Sequence, residues 1–109
     1  KAAHVFAADI RSRRIFVARR AARVDANQRE IVAALRKVGA SVQHLHTVGG
    51  GCPDILVGLR GRNILMEIKM PTEDLNAVER EWALAWMGQF CTVRSPEEAV
   101  RVLFQEVKP

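Results

Sequence analysis

The stretch Pro53-Asp54-Ile55-Leu56-Val57-Gly58-Leu59-Arg60-Gly61-Arg62-Asn63-Ile64-Leu65-Met66-Glu67-Ile68-Lys69 decides how this chain is read. Residues 54–59 and 64–69 are rich in Ile, Leu and Val and flank a Gly-containing turn, the pattern of a β-hairpin. With residues 60–63 as the turn, Leu59 pairs with Ile64, which sets Asp54 opposite Lys69 and Glu67 opposite Leu56. Side chains alternate between faces along a strand. Ile55, Val57, Leu59, Ile64, Met66 and Ile68 then form one apolar face, while Asp54, Glu67 and Lys69 share the other, near one end of the hairpin. Diagonal neighbours on such a face lie about 7–8 Å apart. Two carboxylates at that spacing reach one hard cation. A structural Asp54–Lys69 ion pair, with Glu67 at an exposed edge, satisfies the same pattern. Either way the charges need partners, because burying them alone is costly.

Working outward, Thr47–Pro53 holds three consecutive glycines and must be a loop. No helix with Lys-Ser or Lys-Thr follows it, so it is not a phosphate-binding P-loop. Gly50 and its neighbours instead let a nucleic acid or a neighbouring backbone come close. Upstream, a helix is predicted to start near Asp25 or Asn27, both good N-caps. Ile31, Val32, Leu35 and Val38 form its apolar stripe and Gly39 stops it. Ser41–His46 reads as a short strand. Downstream, a helix is predicted from about Asn76 to Met87, with Asn76 and Glu79 spaced as a capping box. Phe90–Arg94 is a further strand. Ser95 caps a last helix with Pro96 at N1 and Ala99, Val100, Leu103 and Phe104 on its buried face. The order α-β-β-β-α-β-α implies an α/β sandwich with a mixed sheet flanked by helices.

The length of 109 residues fits one compact domain, and 49% hydrophobic with 27% charged residues fits a globular one. No apolar run approaches the roughly 20 residues that cross a bilayer, and no signal-peptide pattern is present. Cys52 and Cys91 are too few for a disulfide framework, which points to a reducing, cytoplasmic compartment. The formal charge of +5 is unevenly placed. Residues 1–24 carry seven bases (Lys1, Arg11, Arg13, Arg14, Arg19, Arg20 and Arg23) against Asp9, whereas residues 25–109 carry ten against eleven acids. The predicted organisation is therefore a basic arm over 1–24 and a folded domain over 25–109. The arm reads as a polyanion contact, with a solvated tail or a protein contact as the plain alternatives.

Pro53-Asp54, twelve intervening residues and then Glu67-Ile68-Lys69 resembles the motif of the PD-(D/E)XK nuclease superfamily. Asn27-Gln28-Arg29-Glu30-Ile31-Val32, Gly49-Gly50-Gly51-Cys52-Pro53-Asp54 and Trp86-Met87-Gly88-Gln89 extend the likeness to the compact VRR-NUC and Holliday-junction-resolvase-like nucleases, phage versions included. The resemblance spans Asp25 to Val102 and leaves the arm outside. It implies a restriction-endonuclease-like α/β/α sandwich and a Mg²⁺- or Mn²⁺-dependent endonuclease that hydrolyses DNA phosphodiester bonds, with branched structures such as Holliday junctions as the expected substrates. It also implies a homodimer in a bacterial or phage-infected cell. On this reading Asp54 and Glu67 ligate the cation with the backbone carbonyl of Ile68, Lys69 handles the attacking water and the phosphate charge, and Glu30 supplies a further acidic group. The chain departs from the family in its short acidic Met70–Asp74 loop, and in Glu79 where relatives carry Gln.

The other candidates carry less. His44 and His46 share a strand face, with Cys52 nearby in sequence, but a fourth zinc ligand is missing. His46 beside the scissile phosphate is the other functional reading of that pair. Trp82 and Trp86, four apart on one helix, read as core rather than as a base-stacking platform. Arg60 and Arg62 at the hairpin tip either touch phosphate or keep the turn solvated. The competing function is a non-catalytic nucleic-acid-binding or assembly module that keeps the nuclease fold, with the arm doing most of its binding. A third possibility is a subunit whose arm docks on a larger protein complex.

Overall fold

A computed structural model describes the backbone of residues 2–106 and the side chains of residues 13–105. The elements run α1 (Ala2–Lys37), β1 (Ser41–His44), β2 (Ile55–Leu59), β3 (Arg62–Ile68), α2 (Ala77–Ala85), β4 (Phe90–Val93) and α3 (Pro96–Glu106). The order is the one read from the sequence. The sheet is mixed, in the order β1-β2-β3-β4. The first three strands are antiparallel, and β4 lies parallel to β3 after the crossover through α2.

The apolar face of the hairpin forms the core. Ile55, Val57, Ile64, Met66, Ile68 and Val93 pack against Ile31, Val32 and Leu35 of α1 and Ala99 and Leu103 of α3. Two helices thus share one face of the sheet. Among the described elements, α2 alone stands over the opposite face, and none of its own residues is fully buried. Two members of the predicted helix stripes lie outside this core. Val38 is exposed, and Phe104 sits beneath the Arg60 guanidinium, 5.6 Å from its ring centroid.

The predicted start of the first helix is corrected. Asp25 and Asn27 lie inside α1, which runs unbroken from Ala2. Residues 2–37 contain neither Gly nor Pro and are rich in Ala and Arg, so propensity carries the helix through the two cap-type residues. Asn27 instead serves as a tie. Its amide donates to the carbonyls of Lys69 (3.4 Å) and Arg94 (3.3 Å), joining α1 to the ends of β3 and β4. Among the described residues, no helix is long and apolar enough to cross a membrane.

Candidate active site

The hairpin turn is tighter than the sequence suggested. Arg60 (φ 54°) and Gly61 (φ 78°) form a two-residue turn with both central residues left-handed, as type I′ geometry requires. The strands therefore extend to a Leu59–Arg62 pair, and Ile55 faces Met66. The predicted register is off by two residues. An even slip leaves every side chain on its predicted face, where a slip of one would have reversed them all. It also changes who meets whom. One step beyond the Ile55–Met66 pair, Asp54 comes opposite Glu67 rather than Lys69.

The two carboxyls make direct contact. Asp54 Oδ2 accepts the Ile68 amide N–H at 2.7 Å, which fixes the Asp54 side chain against β3. Glu67 is only 4% exposed and, among the described residues, is the one charged residue that is buried. Its carboxyl is pushed up to about 9, first by burial, then by its hydrogen bond to Asp54 and by the negative charges of Asp54 and Glu79, against a smaller opposing pull from Lys69. Its surroundings favour the protonated carboxyl, hydrogen-bonded to Asp54 and to Glu79. Where a buried carboxyl is set against a second, partly buried one, a divalent cation offsets the same repulsion that a proton does.

Lys69 does not pair with Asp54. Its Nζ lies 2.7 Å from Oε1 of Glu79, with both side chains largely buried. Glu79 also completes the capping box of α2: Oε1 accepts the Asn76 N–H at 2.8 Å while Asn76 Oδ1 accepts the Glu79 N–H at 2.9 Å. Burial opposes the charge on Lys69, but the hydrogen bond and charge of Glu79 outweigh it and raise its pKa above the ordinary value. Burial likewise opposes ionisation of Glu79, and Lys69 and the Asn76 amide overcome it, so its carboxyl is held down. Lys69 is thus a fixed ammonium beside the carboxyl pair. The sequence showed Glu79 as a cap and as a departure from the family pattern; that it neutralises Lys69 depends on how α2 docks.

That docking is explained by Gly51. Its φ is +84°, and a Cβ there would come within 2.7 Å of the Val78 carbonyl oxygen and 3.1 Å of Trp82 Cβ. The glycine loop therefore admits a neighbouring backbone, that of α2, and so brings Glu79 over the sheet. Gly50, by contrast, is exposed and faces open space. Cys52 follows beside the carboxyls, and its thiol is pushed up by burial and by Glu67 and Asp54.

The remaining candidates are dispersed. Glu30 is exposed on α1, and among the described residues no hydrogen bond or ion pair joins it to Asp54 or Glu67. His44 pairs with Ile55 and so faces α1, across the sheet from the carboxyls, with His46 5.9 Å away ring to ring. The grouping with Cys52 does not form. Among the described residues, no three His, Cys, Asp or Glu are arranged to hold a metal, so any cation at Asp54 and Glu67 would complete its shell with backbone, water or substrate oxygens. Trp82 and Trp86 stack at 4.9 Å, but Trp86 is 46% exposed, so only Trp82 is partly buried, against Phe90. Arg60 in the turn and Arg62 at the far end of β3 are exposed, Arg62 about 17 Å from Glu67 at 3.3 Å per residue. Arg13, Arg14, Arg19, Arg20 and Arg23 are exposed on α1, and the side chain of Arg11 lies outside the described residues. No family model, characterised protein or solved structure matches the chain.

Proposed function

We propose that the chain is a divalent-cation-dependent endonuclease of the PD-(D/E)XK type, acting on DNA. The observation that carries the reading is a buried Glu67 set against Asp54, with the Lys69 ammonium two residues further along the chain. A purely structural site gains nothing from burying a second carboxyl against a first, and perturbed groups of this kind gather at functional sites. Asp54 and Glu67, with the Ile68 carbonyl, are the residues that would hold Mg²⁺ or Mn²⁺. When bound, such a cation lowers the pKa of a water and offsets charge developing at phosphorus.

The chain's own residues do the rest. The Ile68 N–H holds Asp54 in place. To hold such a cation, Glu67 would have to release its proton to solvent. Lys69, kept as an ammonium by Glu79, supplies positive charge toward a phosphate rather than a base for its nucleophile. Glu30 stands in the proposal as an outlying acid that substrate or cation binding would have to recruit. Cutting both strands of a junction needs two such sites, hence two copies of the chain, which light scattering measures.

The test is cleavage of labelled four-way-junction, flap and linear duplex DNA in Mg²⁺, Mn²⁺ or EDTA. We expect cutting in either cation and none in EDTA, with the preferred substrate defining the pathway. Binding of DNA without cutting in every condition would favour the non-catalytic module instead.

A further inference from the structure

The carboxyl face of the sheet continues past the carboxyls. The alternation that brings Asp54 and Glu67 together places the paired Leu56 and Leu65 on the same face. These two leucines floor an open pocket of about 280 Å³, which Trp86, Gly88, Gln89 and Asn63 enclose. Leu65 lies two residues from Glu67 along β3, or about 7 Å. Pocket and carboxyls are therefore neighbours on one surface.

Trp86 is held in place there. It is the C-cap of α2, where the backbone becomes extended. Its ring stacks on Trp82 at 4.9 Å, and Trp82 in turn leans on Phe90, the β4 residue paired with Leu65. Gly88 completes the seat, since a Cβ there would come within 2.8 Å of the indole Nε1. Trp82 covers one face of the indole, yet Trp86 stays 46% exposed, so ring surface is left for the pocket. A tryptophan that served only the core would bury that surface.

The lining suits a flat ring with polar edges. Whole small-molecule sites occupy about 300–1,000 Å³, so a smaller pocket takes a ring system rather than an entire nucleotide. Leu56 and Leu65 offer apolar surface, and the indole offers a stacking partner that accepts any base. The exposed Asn63 carries a donor and an acceptor in one amide, the complement of a base edge. A base within a duplex is stacked and paired and must be extruded before it can enter; an unpaired base enters at little cost.

We propose that this pocket receives an unstacked nucleobase of the strand being cut, so that the substrate carries an unpaired base beside the scissile phosphate. The placement rests on the nuclease reading, because the carboxyl site next to the pocket is what holds the phosphate. Base and phosphate of one nucleotide are joined through a single sugar, a short span that the spacing of Leu65 and Glu67 matches.

The test is fluorescence anisotropy of the full chain, in EDTA, with a labelled thymidine dodecamer and with its abasic counterpart, which keeps every sugar and phosphate but has no base. Tryptophan emission is followed in parallel. We expect the thymidine strand to bind at least about tenfold tighter than the abasic one, the scale of one base stacked on an aromatic ring, and to quench the indole. Trp86→Ala should lose that advantage and the quenching while binding the abasic strand as the wild type does. Asn63→Ala, at an exposed position, should weaken thymidine binding by about threefold, the scale of one hydrogen bond. Equal affinity of the wild type for the two strands overturns the proposal, and that comparison needs no variant. A Trp86→Ala protein with a native circular-dichroism spectrum and wild-type affinity overturns it too; where Trp86→Ala loses the fold, unchanged thymidine binding by Asn63→Ala does so instead. If DNA is cut but bases add nothing to affinity, the pocket fails and the nuclease reading stands. If the bases count as expected but no cation supports cutting, the reverse holds.

Discussion

Glu67 is the residue whose state most depends on what occupies the site. Burial and the neighbouring carboxyls push its carboxyl up to about 9 in the folded chain, from the ordinary 4.5 of the unfolded one. Between those values the native protein carries a proton that the unfolded chain has lost, so stability falls as pH rises across that window. In EDTA, the thermal midpoint of the wild type should drop between pH 5.5 and 8.5 more than that of Glu67→Gln, whose amide has no proton to lose. Mg²⁺ at pH 8 should raise the wild-type midpoint and leave the variant unmoved; equal pH slopes for the two proteins would contradict this account. Glu79 makes a separate prediction. Glu79→Gln keeps a residue that can close the capping box but releases the Lys69 ammonium. We expect a lowered thermal midpoint, because Lys69 loses the charged partner of a largely buried pair, unchanged cation affinity and a single-turnover rate lower by about tenfold to a hundredfold, the scale of a misplaced charged group. An unchanged rate would mean that Lys69 needs no such guide.

At the scale of elements, the glycine loop and the hairpin turn set the geometry. Gly51→Ala adds a methyl into the Val78 carbonyl in a left-handed conformation, whereas Gly50→Ala meets only the conformational strain. Denaturant unfolding should find Gly50→Ala destabilised by about 1 kcal/mol and Gly51→Ala by about 3 kcal/mol, with Gly51→Ala also weakening the Lys69–Glu79 pair. The same elements show what the sequence could and could not tell. Alternation along β2 and β3 assigned Asp54, Glu67 and Lys69 to one face, because the period of a strand is a local property. The register was misread by two residues because Arg60 adopts a positive φ, which its side chain gave no reason to expect. The pairing of Lys69 with Glu79 was hidden for a different reason: it joins residues ten apart through the docking of α2 on Gly51, a tertiary event.

At the scale of the whole molecule, α1 dominates the shape. Its 36 residues extend about 54 Å, in a molecule whose longest extent is 67 Å. Among its described side chains, those of its last turns, from Ile31 onward, reach the core. The sequence marked the composition change at residue 24 but gave it as an arm before a helix; no breaker stands there, and the helix continues through it. Because the described side chains before Val24 are exposed, a chain beginning at Val24 should keep its thermal midpoint within about 5 °C of wild type, since the exposed Arg20–Glu73 pair contributes at most about 1 kcal/mol. Calorimetry showing a larger loss would mean that the projecting helix packs on the body.

The central claim is that Asp54 and Glu67 together form a cation site that hydrolyses phosphodiester bonds. Its most direct test is single-turnover cleavage of duplex and four-way-junction DNA in Mg²⁺ by the wild type and by Asp54→Asn, with matching circular dichroism. Several kcal/mol of charge stabilisation are removed with the carboxylate, so we predict that Asp54→Asn loses at least about a thousandfold in rate. An Asp54→Asn protein that cuts at the wild-type rate, or a wild type that cuts equally well in EDTA, would contradict the claim.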